Sequence, residues 1–321
     1  MPRHQLVADQ PGIADAWTVS RGRGTVIAVV DEQVDTADHS DFVGRLLPAY
    51  GQRDADGSSR RRPHGAKVAG LAAAHGQNFS GVAPEASILP VSVPTLGAES
   101  GPADVAHALR WAAENAADVI CCAWAPRDPA PADAELPAET RDALDWCLTN
   151  GRGGKGCVVV FSAGNDGNDL ALNAYASHSG VIAVGACNAH GKHPSYSGWG
   201  AALWCVFTSS DPDDATGASV TYLTTAPVGS LLDGEAFYTT RFGQTSAACA
   251  AVAGICALII AANPELTGTE VKEILRDSCE QVGAEPGVGG ARQHSLEHGF
   301  GRPNAVRAVV LAQERAAVAR P

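Results

Sequence analysis

The chain has 321 residues, 45% hydrophobic and 18% charged, with a formal net charge of -12. That apolar content suffices for one large core. The acidic balance excludes a non-specific nucleic-acid binder, which needs clustered Lys and Arg.

No run reaches the roughly 18 apolar residues that a membrane span requires, so no membrane partner is expected. The opening segment, MPRHQLVADQPG, lacks the apolar stretch of a signal peptide, and the expected compartment is the cytoplasm. Nine cysteines, an odd number without Cys-x-x-Cys spacing, read as reduced, buried thiols.

Residues 25–30 (TVIAVV) form the first predicted strand, and residues 67–74 a helix of small side chains. A strand follows at 87–93. Then comes a helix at 102–117, with Ala106, Leu109 and Ala113 on one face. Next come a strand at 119–123, a helix at 138–148, and strands at 157–162 and 181–186. A long apolar helix at 246–262 stops at Asn263-Pro264, and a last helix covers 270–278. Short apolar runs alternating with helices predict an α/β fold. Its mostly parallel sheet should have about seven strands, with helices on both faces. We expect one catalytic domain over 1–321, with an N-terminal extension at 1–23 and an insertion loop at 209–241. Residues 53–63 and 126–137 are further surface loops.

In open parallel sheets, function gathers at the carboxyl ends of strands. Asp31 directly follows the first strand, and His64 opens the small-residue helix. Asn165 lies just past the strand at 157–162, and Ser246 opens the apolar helix. A serine hydroxyl needs a base within hydrogen-bond reach, and His64 suits that task. Asp31 would fix the imidazole tautomer and stabilise its cation. Asn165 can aim an amide N–H at a developing oxyanion.

The segments around these residues resemble the subtilase family of serine peptidases. GTVIAVVD (24–31), HSDF (39–42), HGAKVAG (64–70), SGVAP (80–84), FSAGNDG (161–167), GQTSAACAAVAG (243–254) and HGFGRPNAVRAV (298–309) carry the likeness. NGRGGKGCVVVFSAGNDG (150–167), AWAPRD (123–128) and ANPELT (262–267) are most similar to the kexin/furin-like branch.

The resemblance implies a serine endopeptidase with Asp31, His64 and Ser246 as its triad and Asn165 in the oxyanion hole. Ala123, Trp124 and Ala125 would line the cleft for an extended peptide. Asp128 would face a pocket for the basic residue before the cut, and Glu32 would favour a second one. The implied substrate is a peptide or protein cut after Arg or Lys. No cofactor is required for the chemistry. Calcium is a structural candidate: Asp41 resembles a family ligand, and Asp54-Ala-Asp56-Gly57 spaces carboxylates for a hard cation. The branch's second β-sandwich domain and the usual pro-domain are not expected, so restraint by a regulatory partner protein is.

Some residues depart from the pattern. Gln33 and Gln244 stand where the family has Gly, and Ala250 where it has Pro. Ala250 restores a backbone N–H near the nucleophile, which raises the alternative of a peptide ligase or macrocyclase. Glu32-Gln33 and Gln244 raise that of a peptide-binding pseudoprotease. The run His294-Ser-Leu-Glu297-His298 matches a zinc-protease pattern, but Gly299, Gly301 and Pro303 break the helix it needs. Residues 151–156 (GRGGKG) lack the Lys-Ser/Thr of a phosphate loop. Arg60, Arg61 and Arg62 make a candidate autolysis site.

Overall fold

A computed structural model describes residues 3–36, 39–51, 64–77, 79–93, 102–126, 135–227, 237–283 and 294–318. The elements run β1 (Arg3–Gln5), α1 (Ile13–Ala16), β2 (Val26–Asp31), α2 (His64–Ala73), β3 (Ser87–Ser92) and α3 (Pro102–Glu114). They continue with β4 (Val119–Cys122), α4 (Ala138–Gly154), β5 (Val158–Ser162), β6 (Ile182–Cys187), β7 (Leu203–Thr208), β8 (Val220–Thr225) and β9 (Tyr238–Phe242). The chain ends with α5 (Gln244–Ala262), α6 (Gly268–Ser278), β10 (Cys279–Glu280), β11 (Arg302–Pro303) and α7 (Ala305–Val318).

Among the described residues the main sheet has six parallel strands in the order β3-β2-β4-β5-β6-β7. Its strands are buried on both faces, which is why they read as unbroken apolar runs. Successive side chains go to opposite sides. Ile27, Val29, Val119, Cys121, Val158 and Val160 join the core beneath α2 and α5. Ala28, Val30, Ile120, Cys122, Val159 and Phe161 join the core beneath α3 and α4.

Of the roughly seven strands expected in one sheet, the described residues hold six. The shortfall is made up elsewhere: β1, β8 and β9 form a separate three-stranded sheet. Residues 209–241, expected to be an insertion loop, therefore hold β8 and most of β9. Residues 1–23, expected to be an extension, supply β1 and the buried core residues Val7, Ile13 and Ala16. The sheet β1-β8-β9 carries α2. Thr224 Oγ1 and Thr225 Oγ1 donate to the carbonyls of Lys67 and Ala66, both at 2.7 Å.

One sequence expectation needs a second correction. Helix α5 is long and apolar enough to cross a membrane by length and composition. Here 89% of that apolar window is buried inside the fold, so its hydrophobicity serves the core. All nine cysteines are unpaired and buried.

The stretch NGRGG has a packing role. Helix α4 leaves helical geometry at Gly151, Arg152 and Gly153. The Arg152 side chain turns inward, 5% exposed, and pairs with Asp118 at 2.9 Å. It also donates to the carbonyls of Leu266 at 2.9 Å and Gly156 at 3.3 Å. One guanidinium thus ties α4, β4 and the approach to α6 together.

Candidate active site

Asp31 is the last residue of β2 and is 2% exposed. Its Oδ1 accepts the Glu32 N–H at 2.8 Å, and its Oδ2 faces His64 Nδ1 at 2.8 Å. His64 opens α2, so its position depends on how closely that helix meets the end of β2. Gly65 permits the approach: a Cβ there would lie 2.2 Å from the Gln33 carbonyl oxygen and 3.0 Å from Asp31 Cβ. The carboxylate fixes the proton on Nδ1 and leaves a lone pair on Nε2. Phe242 meets the imidazole edge-on, at 5.9 Å between centroids.

Burial opposes a charge on His64, but the Asp31 charge and hydrogen bond oppose that effect, with a smaller contribution from Glu32. The outcome is a histidine held above its usual value of 6.5. Glu32 itself is half-buried beside the pair.

Ser246 lies in the first turn of α5 and is 8% exposed. Its hydroxyl donates to the Ala123 carbonyl at 2.9 Å. Among the described residues, no hydrogen bond joins Ser246 to His64. A serine hydroxyl moves between staggered rotamers, and catalytic hydrogen bonds often tighten only when substrate is bound.

Asn165 follows β5. Its Oδ1 accepts both the backbone N–H of Thr245, at 3.1 Å, and the Thr245 hydroxyl, at 2.7 Å. Two donors on one oxygen assign the amide orientation and leave the NH₂ free to donate elsewhere. Thr245 is fully buried and precedes Ser246, so the amide and the hydroxyl share one support.

Ala123 and Trp124 follow β4. The Trp124 indole N–H donates to the Val30 carbonyl at 3.0 Å, and its ring packs edge-on against Phe161 and Tyr175. Ala125 lines a pocket together with Ala163, Gly164, Asp166, Asn168 and Asp169. Asp166 and Asp169 were not singled out in the sequence. The available signal was their place just past Asn165, in the same strand-end loop. Asp169 Oδ1 accepts the Ala171 N–H at 2.9 Å and so caps the short turn that follows.

Asp41 is 3% exposed. Its Oδ1 accepts from Tyr238 at 3.1 Å and from Ser40 at 3.3 Å, while its Oδ2 is buried with no hydrogen-bond partner. That oxygen lies against Gly76, where a Cβ would come within 2.4 Å. A buried carboxylate oxygen without a donor is costly unless a cation meets it. Asp41 thus offers one hard oxygen of the kind calcium takes, while among the described residues no group of three or more His, Cys, Asp or Glu is placed to hold a metal ion. Asp54, Asp56, Asp128 and the triplet Arg60–Arg62 lie outside the described residues. His294 and His298 do not form a shared site, since their Nε2 atoms bond separately to the carbonyls of Leu203 and Gly191.

The chain is similar to several known proteins. The family description "Subtilase family" matches residues 22–301. A calcium-dependent protease of Trichormus variabilis is 39% identical, over 92% of this chain and 48% of its own length. A dibasic-processing endoprotease of Yarrowia lipolytica is 28% identical, over 91% of this chain and 30% of its own. The chain thus spans about half the length, or less, of these curated relatives. Among solved structures, a protease of Pseudoalteromonas arctica superposes with a TM-score of 0.74 at 24% identity, covering 97% of this chain and 99% of the other.

Proposed function

The chain belongs to the subtilase family, and on that premise we propose that it is a serine endopeptidase acting through an acyl-enzyme. The observation that carries this reading is the Asp31–His64 contact at 2.8 Å, at the strand edge where Thr245 couples Asn165 to Ser246.

In this reading Ser246 leaves the Ala123 carbonyl, and His64 Nε2 accepts its proton as Oγ attacks the peptide carbon. The electron pair of the carbonyl moves to its oxygen. The Asn165 NH₂ and the Ser246 backbone N–H stabilise the charge formed there. His64 then returns the proton to the departing amine, and the acyl group remains on Ser246. Water repeats the sequence and frees the acid. Asp31 keeps the imidazole oriented throughout. A fluorophosphonate probe tests the reading: labelling of the wild-type chain, lost in Ser246→Ala, is expected. Absence of labelling would leave only the peptide-binding alternative. Joining of the acyl fragment to an added amine, read by mass, would favour the ligase.

A preference for Arg or Lys before the cut is supported by Asp166 and Asp169 in the pocket, and by Glu32 beside the histidine. Digestion of a mixed peptide library tests it. Cuts spread evenly over apolar residues would refute it. Structural calcium is supported by the orphaned Asp41 Oδ2 and by relatives described as calcium-dependent proteases. When bound, the cation would neutralise that carboxylate. A regulatory partner protein and a reducing, cytoplasmic setting complete the proposal, the latter supported by nine unpaired thiols.

A further inference from the structure

The turn before Ser246 has an unusual backbone. Gln244 has φ of +58°, in the left-handed region that favours glycine. Its side chain is exposed, so packing does not hold it there. Two serines do hold its backbone. The Gln244 N–H donates to Ser210 Oγ at 2.9 Å, and Ser209 Oγ donates to the Gln244 carbonyl at 2.8 Å.

The serines are themselves fixed. The Ser209 N–H donates to the Cys187 carbonyl at 2.7 Å, and the Ser209 carbonyl accepts the Val220 N–H at 3.2 Å. The Tyr196 hydroxyl donates to the Ser210 carbonyl. Ser210 also lies so close to Gly243 that a Cβ there would come within 2.5 Å of its oxygen. The clamp is therefore rigid, and it grips a strained residue two positions before the nucleophile. Strain at a functional site persists only where its surroundings over-determine it.

We propose that Ser209 and Ser210 are positioning residues, holding Gln244 in the left-handed turn that presents Ser246. This inference rests on the protease reading above. It follows that the clamp matters because position 244 is not glycine. With glycine there, the turn needs no external restraint.

The test is a cycle of variants on the full chain, read by peptide hydrolysis, fluorophosphonate labelling rate and thermal melting. Ser210→Ala should lower kcat about tenfold with KM changed by less than about twofold, the pattern of a misplaced reacting group. Ser210→Thr, which keeps the hydroxyl, should retain activity. Gln244→Gly should stay close to wild type, and adding Ser210→Ala to it should cost less than about twofold. An equal loss from Ser210→Ala in both backgrounds overturns the clamp. Failure of the wild-type chain to label overturns the protease reading and the clamp's role with it.

Discussion

Thr245 gives both its backbone N–H and its hydroxyl to one oxygen of Asn165, at 3.1 and 2.7 Å. The proposed oxyanion donor is therefore oriented by the residue next to the proposed nucleophile. Asn165→Ala should lower kcat by about 10²–10³, the loss known for one such donor in a protease of this family, with little change in KM. Thr245→Val keeps the shape and the backbone bond but removes the hydroxyl. Its kcat should fall about tenfold, because the amide is then held by one bond. Steady-state kinetics check both. An unchanged Asn165→Ala rate would remove the amide from the mechanism.

His64 must be neutral to accept a proton. Its folded-state pKa is raised, so it gains its proton at a higher pH than an ordinary histidine. The acid limb of kcat/KM should accordingly have its midpoint above 6.5. In Asp31→Asn the raising charge is gone, the limb should move to lower pH, and the rate should fall about 10⁴-fold. For stability, a raised pKa means that the folded form binds the proton more tightly. The stabilisation is present below 6.5 and is lost as pH rises through the folded value. Melting of the Ser246→Ala protein across pH measures that contribution without autolysis.

Calcium should raise the melting temperature, through the unsatisfied Oδ2 of Asp41. Binding to the folded state alone adds about 2.7 kcal/mol at a hundred times the dissociation constant. Asp41→Asn should abolish that increment. Persistence of the full shift in the variant would assign the calcium effect to other residues. Scanning calorimetry with calcium and with a chelator reads it.

Arg152→Ala removes a guanidinium that is 5% exposed from an Asp118 that is 20% exposed. It also leaves the Leu266 and Gly156 carbonyls without their donor. The expected loss in denaturant unfolding is about 3–5 kcal/mol. Arg152→Lys should recover only part of it, since an ammonium cannot span the same set of partners.

Much of this was legible in the sequence. The strand at 25–30, the helix opening at His64 and the apolar helix at Ser246 signal themselves by unbroken or small-residue runs. The ends of the first two elements bring Asp31 and His64 within 2.8 Å of each other. Strand β7 was not legible. Its run LWCVFT follows a Gly- and Trp-containing turn and contains a half-buried Trp204, which packs on Phe300. Strands β8 and β9 are rich in Thr, and their register shifts between Tyr222 and Thr224. That pattern reads as a loop until the partner strand is known. The departure at Gln244 was visible, but its clamp was not. Ser209 and Ser210 lie 35 and 34 positions away from Gln244, and nothing local in the sequence links them to it.

The nine interior cysteines have a practical consequence. Burial raises several of their thiols far above the normal range, with Cys157 and Cys187 each at about 12, and it shields all nine from an alkylating dye in the folded chain. A single cysteine added on the surface would then carry the whole label, with no need to strip the natural ones. The same silence makes alkylation a clock for global opening: each molecule that opens becomes tagged at many sites at once, and intact mass counts the events.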